Sequence, residues 1–283
     1  MLHIITDSMS DHIHITPRDP AVHVACQPVR FGMEEFMDDG VSLTQADFYA
    51  RLRTAPELPK TSMVPMQAWL DELEAALSDP ADTALVIAGS SRLSGGYQSA
   101  LNAAEALHQP GRVIVVDSLS ASCGELLLVD CAVRMRDSGA TLAEAAAAVE
   151  ALRSRVRVVG LADDLKYLVM GGRLNPLVGK VGSALAIKPT LKLEGGVIEK
   201  AGMVRGVKKG YQWYVDQLAL FPPDPAVPMY IGGADCTETT AMLKSLFEAS
   251  GLPLPEIRTM GIGCVIGAHV GPGLTLVAWA TKE

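Results

Sequence analysis

The chain has 283 residues, of which 49% are hydrophobic and 20% charged, so it can bury a sizeable core without disulfides or metal sites. Its formal net charge of -8 opposes the phosphate backbone of nucleic acids, which excludes DNA and RNA as expected partners. Its 5 cysteines lack the paired spacing of a disulfide framework or a zinc knuckle, which favours a reducing cytoplasm and predicts no metal site.

The first part of the chain alternates short apolar runs with stretches of helical periodicity. Three such runs predict buried parallel strands, at residues 2–6, 84–88 and 113–117. Helices are expected after two pairs with capping-box spacing, Ser42 with Gln45 and Thr141 with Glu144. Another is expected from Pro65, since proline suits the first turn of a helix. This order predicts an α/β fold with a doubly wound, mainly parallel sheet.

Small polar residues follow each of these strands. The three clusters are Thr6-Asp7-Ser8, Gly89-Ser90-Ser91 and Asp117-Ser118. Ligands of doubly wound sheets bind beyond the carboxyl ends of the strands. The sequence therefore predicts a polar rim above an apolar floor at this edge of the sheet.

The second part of the chain has a different character, and we predict two domains, a Rossmann-like α/β domain at 1–155 and a C-terminal α/β domain at 156–283. The glycines of Glu194-Gly195-Gly196 predict the tight turn of a β-hairpin. The other predicted elements are strands at 156–161 and 227–231 and helices at 165–170, at 207–220 and from 238.

Residues 260–280 carry no Asp, Glu, Lys or Arg over a length that could cross a bilayer. His269 and the Gly271-Pro272-Gly273 triplet interrupt this run near its centre, which favours a turn between buried elements over a membrane helix. Acidic Asp7 precedes any apolar stretch of export-signal length, so no targeting segment is expected. We therefore predict a cytoplasmic protein without stable membrane insertion, in which the run forms core and a functional loop.

Two serine-containing segments are candidates for binding an anion. The Gly89–Gly96 loop precedes a helix-compatible stretch, and a helix N-terminus offers free N–H groups and a positive dipole end. The spacing fits an ordinary N-cap equally well. Thr61 and Ser62 would also bring hydroxyls to a helix start, but such pairs more often only cap their helix.

His269 is the polar residue of the least polar stretch, and a buried imidazole needs partners. A lone histidine among apolar residues is more often a satisfied core group than a ligand contact. Serine catalysis lacks its sequence signature, because the Gly89–Gly96 loop does not match Gly-x-Ser-x-Gly and no acid partner for His269 is evident.

In combination these segments resemble the DegV family across essentially the whole chain. The matching motifs are Ile5-Thr6-Asp7-Ser8 with Asp11, Lys60-Thr61-Ser62, residues 90–100, Asp117-Ser118, Gly171-Gly172-Arg173-Leu174, Ile187-Lys188-Pro189, Arg205 with Lys208-Lys209, and His269-Val270-Gly271-Pro272-Gly273. Two positions depart from the family pattern. Met63-Val64-Pro65 stands where Gln-Pro-Ser is usual, and Gly96 stands where threonine is common.

The resemblance implies a non-enzymatic carrier similar to the lipid-binding subunit of bacterial fatty acid kinase. Such a protein holds a long-chain fatty acid, for example palmitate, in a tunnel between its two domains, needs no cofactor, and presents the carboxylate to a kinase subunit for acyl-phosphate formation. The alternative is an enzyme that uses Ser94 and His269 directly, either a serine-dependent acyl hydrolase or a phosphoryl-transfer protein.

The resemblance also assigns roles to single residues of this chain. Thr61, Ser94, Gly95 and His269 would bind the carboxylate. Supporting roles fall to Ser62, Ser91, Asp7 and Ser8. Contacts with the phosphate or the partner kinase fall to Arg173 and Arg205.

Overall fold

The computed structural model of the chain describes residues 1–175 and 187–282. The strands, in chain order, are β1 (Leu2–Asp7), β2 (Val22–Ala25), β3 (Pro28–Phe31), β4 (Glu34–Met37), β5 (Lys60–Thr61), β6 (Thr83–Ala88), β7 (Val113–Asp117), β8 (Val156–Leu161), β9 (Ile187–Glu194), β10 (Val197–Arg205), β11 (Met229–Gly233), β12 (Ile257–Gly261) and β13 (Thr275–Ala280). The α-helices are α1 (Gln45–Thr54), α2 (Met66–Ala76), α3 (Gly96–Ala106), α4 (Cys123–Asp137), α5 (Leu142–Arg153), α6 (Lys166–Met170), α7 (Val207–Leu220), α8 (Thr237–Glu248) and α9 (Cys264–Val270).

The first sheet is parallel and doubly wound, as predicted. Its strand order is β2-β1-β6-β7, and every pair is parallel. Helices α2 and α3 pack on one face, with Trp69 and Leu73 fully buried, and α4 and α5 pack on the other. The sheet is covered on both faces because its strands carry apolar residues toward both.

The second sheet contains the strands that follow residue 155. Its order is β10-β9-β8-β13-β11-β12, and only β11 and β12 pair in parallel. The predicted hairpin is confirmed, since β9 and β10 pair antiparallel around Gly195 and Gly196, whose φ values are +55° and +85°. The chain is thus a mixed α/β protein with a parallel sheet and a second sheet domain, while the domain boundary at 155/156 stays a prediction.

One of the two predicted capping boxes is confirmed and the other is wrong. The Thr141 hydroxyl accepts a hydrogen bond from the Glu144 amide, and the Glu144 carboxylate accepts one from the Thr141 amide. The α1 helix begins only at Gln45, so the helix is capped by Thr44, and Ser42 instead donates to Asp39 in the preceding turn.

The small sheet β4-β3-β5 and the edge strand β2 were not predicted. The small sheet matters for the site because it pairs Val29 with Thr61 and so fixes the backbone of Thr61. The apolar run at 260–280 is divided among β12, α9 and β13, and in the described part of the chain no helix has the length and hydropathy needed to cross a membrane.

Candidate functional site

A cavity lies between the two halves of the molecule. It takes in about 790 Å³ of space between atoms, a volume that includes the open solvent at its opening. Its aliphatic lining comes from both halves and includes Met9, Leu93, Ala121, Val158, Leu168, Leu191, Val265, Leu274 and Leu276. Among the described residues of the lining, Ser62 and Met63 are exposed, and we call the opening beside them the mouth.

One face of the second sheet forms the cavity floor. Gly160 lies opposite Leu276 on one neighbouring strand and opposite Leu191 on the other. Directly opposed residues share a face of the sheet, and all three line the cavity. A Cβ on Gly160 would lie only 2.8 Å from Leu276 Cδ2, so glycine allows Leu276 to lie across this strand.

Thr61 and His269 meet at the mouth end of the cavity. The Thr61 Oγ1 and His269 Nε2 atoms are 2.8 Å apart, although the residues are 208 positions apart in the chain. Thr61 is the last residue of β5, and His269 lies in the last turn of α9, so a short strand and a short helix position them. The functional loop predicted around His269 is therefore a helix followed by a turn at Gly271, whose φ is +72°.

Ser94 and Gly95 form the polar loop at the start of α3. The Ser90 carbonyl accepts hydrogen bonds from the amides of Leu93 and Ser94, both at 3.0 Å, which folds the loop back on itself. The Ser94 hydroxyl oxygen accepts the Gly96 amide at 3.3 Å, which leaves the hydroxyl proton free to donate. The Gly95 amide, at the N-cap, has no hydrogen-bond partner within 1–175 and 187–282. These are donors of the kind that an anion requires.

His269 is neutral at physiological pH. Burial, together with the nearby Arg173 charge, lowers its pKa to about 4. Its Nδ1 atom is buried without a partner in the described structure, facing Gly171, where a Cβ would approach it within 2.4 Å. A buried N–H without a partner is rarer than a buried acceptor without one, so we assign the proton to Nε2. In that tautomer Nε2–H donates to Thr61, and the Thr61 proton is free for a ligand.

The structure places the two predicted arginines differently. Arg173 is half-buried, lines the cavity, and donates to the carbonyls of Leu93 (3.2 Å) and Gly171 (2.5 Å). Arg205 is exposed at the end of β10 opposite Ile187 and does not line the cavity. Val197, at the other end of β10, borders the same surface pocket as Arg173, and eight residues of strand span roughly 26 Å. The two arginines are therefore not brought together.

The four predicted supporting residues are also divided. Ser62 lines the mouth of the cavity, whereas Asp7, Ser8 and Ser91 lie outside its lining. Asp7 accepts the amides of Met9 (2.7 Å) and Gly89 (3.0 Å), and burial raises its pKa to about 6. It thereby anchors the start of the 89–95 loop.

Ser8 and Ser91 form hydrogen bonds with other parts of the protein. The Ser8 hydroxyl donates to the carbonyl of Asp38 (3.1 Å) and accepts the Gln27 amide (2.9 Å). The Ser91 amide donates to the Asp117 carboxylate at 3.1 Å.

The described residues of the site do not form the hydrogen-bond relay of a serine hydrolase. Among the described residues, Ser94 has no hydrogen bond to His269, and His269 has none to a carboxylate, so no serine-histidine-acid relay is formed. No group of three or more His, Cys, Asp or Glu side chains in the described ranges could hold a metal ion. The site consists of neutral hydrogen-bond donors beside the Arg173 guanidinium, at one end of a mainly apolar cavity.

Residues 1–282 match the family model described as uncharacterised proteins of the DegV family. The chain belongs to the DegV family. The family predicted from the motifs is thus confirmed over nearly the whole sequence.

Other DegV proteins of known structure have the same fold. A DegV family protein from Thermus thermophilus, described for its fatty acid binding, is 30% identical, with a TM-score of 0.88 and coverage of 99% of both chains. The fatty acid kinase B3 protein of Streptococcus pneumoniae, loaded with linoleic acid, has a TM-score of 0.88 at 22% identity, with 100% coverage of both chains. A relative from Thermotoga maritima named fatty acid-binding protein is 32% identical over 80% of this chain and 79% of its own.

Sequence reasoning missed the side chains that hold α9 in this DegV chain. Asp38 is fully buried, and its carboxylate accepts the amides of Cys264 (3.3 Å) and Val265 (2.8 Å) at the start of the helix. Asp11 accepts the Gly263 amide at 2.9 Å, and burial raises its pKa to about 7. His14 Nε2 lies 3.1 Å from Asp38 Oδ1. Asp11 belonged to a recognised motif, but no sequence signal indicated Asp38.

Proposed function

We propose that this chain is a carrier that binds a long-chain fatty acid in the cavity and presents its carboxylate to a partner kinase for acyl-phosphate formation. The observation that carries the proposal is the cavity itself, an aliphatic space between the two halves that ends at the hydroxyls of Thr61 and Ser94. The chain itself would have no catalytic role and would need no cofactor. We infer the class of ligand from the apolar lining of the cavity, which suits an acyl chain, and from the hydrogen-bond donors at its mouth, which suit a carboxylate.

The tail would supply most of the affinity. Each buried methylene of an acyl chain contributes about 0.8 kcal/mol, so a chain of palmitate length gains on the order of 10 kcal/mol before the costs of binding. Aliphatic side chains with two methionines, Met9 and Met63, line the space. Such a lining adapts to a flexible chain and makes no directional demand on it.

The head group would fix the orientation. A buried carboxylate is costly unless several hydrogen bonds satisfy it. The Thr61 and Ser94 hydroxyls and the Gly95 amide have the donors for this, and His269 lies beside them as a neutral group that orients Thr61. The carboxylate would then lie at the mouth, near Arg173, where a second protein can approach it.

The role with a kinase draws support from the pneumococcal protein of the same fold, which is named for fatty acid kinase. Arg173 would stand next to the transferred phosphate, because it already lies at the head-group end of the cavity. Arg205 would belong to a wider docking surface, because it is exposed and distant from the cavity.

The test begins with the native protein. Organic extraction and mass spectrometry should show co-purifying fatty acid, and the delipidated chain should bind added palmitate. A ligand-free preparation that also refuses palmitate would contradict the proposal. Turnover of acyl esters or acyl phosphates by the isolated chain, lost in Ser94→Ala, would replace it with the enzyme alternative.

The kinase step needs its own experiment. With the kinase of the same organism, the palmitate-loaded chain should yield acyl phosphate from ATP, and neither protein alone should do so. We expect Arg205→Glu to retain palmitate binding and to lower the rate of phosphorylation. Lys200→Glu on the same strand is the matched control. Equal phosphorylation of wild type and Arg205→Glu would remove Arg205 from the docking surface.

A further inference from the structure

Met63 occupies the mouth of the cavity directly beside the head-group donors. It follows Thr61 and Ser62, lines the cavity, and is 51% exposed. The other methionine of the lining, Met9, is 5% exposed and lies in the interior. Within the lining, an oxidant in solution therefore meets Met63 first.

The thioether of Met63 lies against Gly95. A Cβ built on Gly95 would be 2.6 Å from Met63 Sδ, with the Cβ and Cγ atoms of Met63 both at 3.8 Å. The sulfur thus covers the residue whose amide has no hydrogen-bond partner in the described structure. Any atom added to this sulfur is therefore placed beside Gly95, the residue that follows Ser94 in the loop.

We propose that Met63 is a modification site, at which oxidation to the sulfoxide by a peroxide weakens fatty acid binding. This inference rests on the proposed function. In the reaction the sulfur gains one oxygen and loses two electrons, while the O–O bond of hydrogen peroxide breaks and water leaves. Methionine sulfoxide reductases reverse the change, so the loss of binding would be reversible.

The physical effect has two parts. A sulfoxide oxygen is a strong hydrogen-bond acceptor, and here it competes with the ligand carboxylate for the Gly95 amide and the Ser94 hydroxyl. The added oxygen also needs space on a sulfur that already touches Gly95. Loss of one or two donors to a charged group corresponds to about a tenfold or greater loss of affinity.

The experiment compares palmitate binding before and after limited treatment with hydrogen peroxide. Peptide mass spectrometry measures sulfoxide at each methionine, and titration with palmitate gives Kd for the same samples. We expect wild type to lose about tenfold in affinity for palmitate as Met63 is oxidised. The affinity should return after treatment with the two methionine sulfoxide reductases, each of which reduces one epimer of the sulfoxide.

Two variants isolate the residue, and each is compared with itself before and after peroxide. Met63→Leu cannot be oxidised at this position and should show the same Kd in both states. Met33→Leu is the matched control, because Met33 is 97% exposed and lies outside the cavity lining. It should respond as wild type does.

Three outcomes would overturn the inference: no sulfoxide at Met63, an unchanged Kd when Met63 is oxidised, or an equal loss in Met63→Leu. Failure of untreated wild type to bind palmitate is a different result. It would remove the proposed function, and this inference with it.

Discussion

The polar end of the cavity contains hydrogen-bond donors and a neutral imidazole. His269 carries no charge at neutral pH, because burial and Arg173 lower its pKa to about 4. In the proposed carrier it would hold the Thr61 hydroxyl oxygen, so that the hydroxyl proton could point to the ligand. At the scale of single residues, Thr61 and Ser94 are then the side chains on which head-group binding would depend in the proposed carrier.

We expect Thr61→Val and Ser94→Ala each to weaken palmitate binding by about ten- to a hundredfold, because each removes a donor to a desolvated carboxylate. Thr61→Val keeps the shape of the side chain, and Thr61→Ser, which restores the hydroxyl, should recover most of the affinity. Titration of the delipidated proteins with palmitate measures the effect. Wild-type affinity in both Thr61→Val and Ser94→Ala would show that the head group lies elsewhere.

The pH dependence of stability tests the environment of His269. Its folded-state pKa of about 4 lies below the ordinary 6.5, so the folded protein binds fewer protons than the unfolded chain between these values. Its contribution to stability is therefore lost as the pH falls from about 6.5 to 4. His12, also lowered to about 4, acts in the same direction, whereas Asp7 and Asp11, with raised pKa values, act in the opposite one.

His269→Gln retains His12, Asp7 and Asp11, so the difference in stability between the variant and wild type removes the contributions of these three residues. Relative to wild type, the variant should gain on the order of 2 kcal/mol in free energy of unfolding between about pH 7.5 and pH 4.5. Urea unfolding at a series of pH values measures the difference. A constant difference across that range would mean that His269 titrates normally.

At the scale of elements, the 7-residue helix α9 shows how much the site depends on distant chain segments. Its first amides donate to Asp38, which is 226 positions from Cys264 in sequence, and the Gly263 amide just before it donates to Asp11. A short helix does not form alone, since nucleation is costly. Its place therefore depends on these carboxylates.

We predict that Asp38→Asn destabilises the protein by about 1–3 kcal/mol and weakens palmitate binding as well, because an amide group cannot accept at both positions. Denaturant unfolding and palmitate titration measure the two effects. Asp39→Asn is the matched control, since in the described structure the Asp39 side chain accepts from Val41 and Ser42 within its own turn and has no hydrogen bond to α9. The same loss of affinity in Asp39→Asn would contradict a specific role of Asp38 in holding α9.

The same distinction between local and distant contacts explains which elements the sequence predicts. Strands β7 and β8 agree with their predicted bounds at both ends, because apolar runs bounded by polar residues are local signals. Strand β5 has only two residues. It forms by pairing with Val29 of β3, which lies far from it in sequence, so its own residues carry no strand signal. The hydrogen bond between Thr61 and His269 joins residues 208 positions apart, and no spacing rule could predict it.

At the scale of the whole molecule, the two sheets share their cores. One apolar cluster joins Leu127 and Leu128 of α4 to Val158 of β8 and Ala278 of β13. Another joins Met9 and Phe48 of the first part to Leu191 and Val265 of the second. The cavity lies within this shared interior. The predicted boundary at 155/156 therefore separates the strands of the two sheets, while side chains from both sides of it pack in the same apolar clusters.

A shared interior predicts that both halves unfold together and that a ligand in the cavity stabilises both. Calorimetry of the delipidated protein should show one transition. Palmitate at about 100 times its Kd should raise the free energy of unfolding by about 2.7 kcal/mol and Tm by roughly 5 °C. Hexadecanol, which has the same tail but no carboxylate to satisfy the donors, should raise Tm less at equal concentration. Two transitions, of which palmitate moves only one, would mean that the halves are independent domains and that the acyl chain is held by one of them.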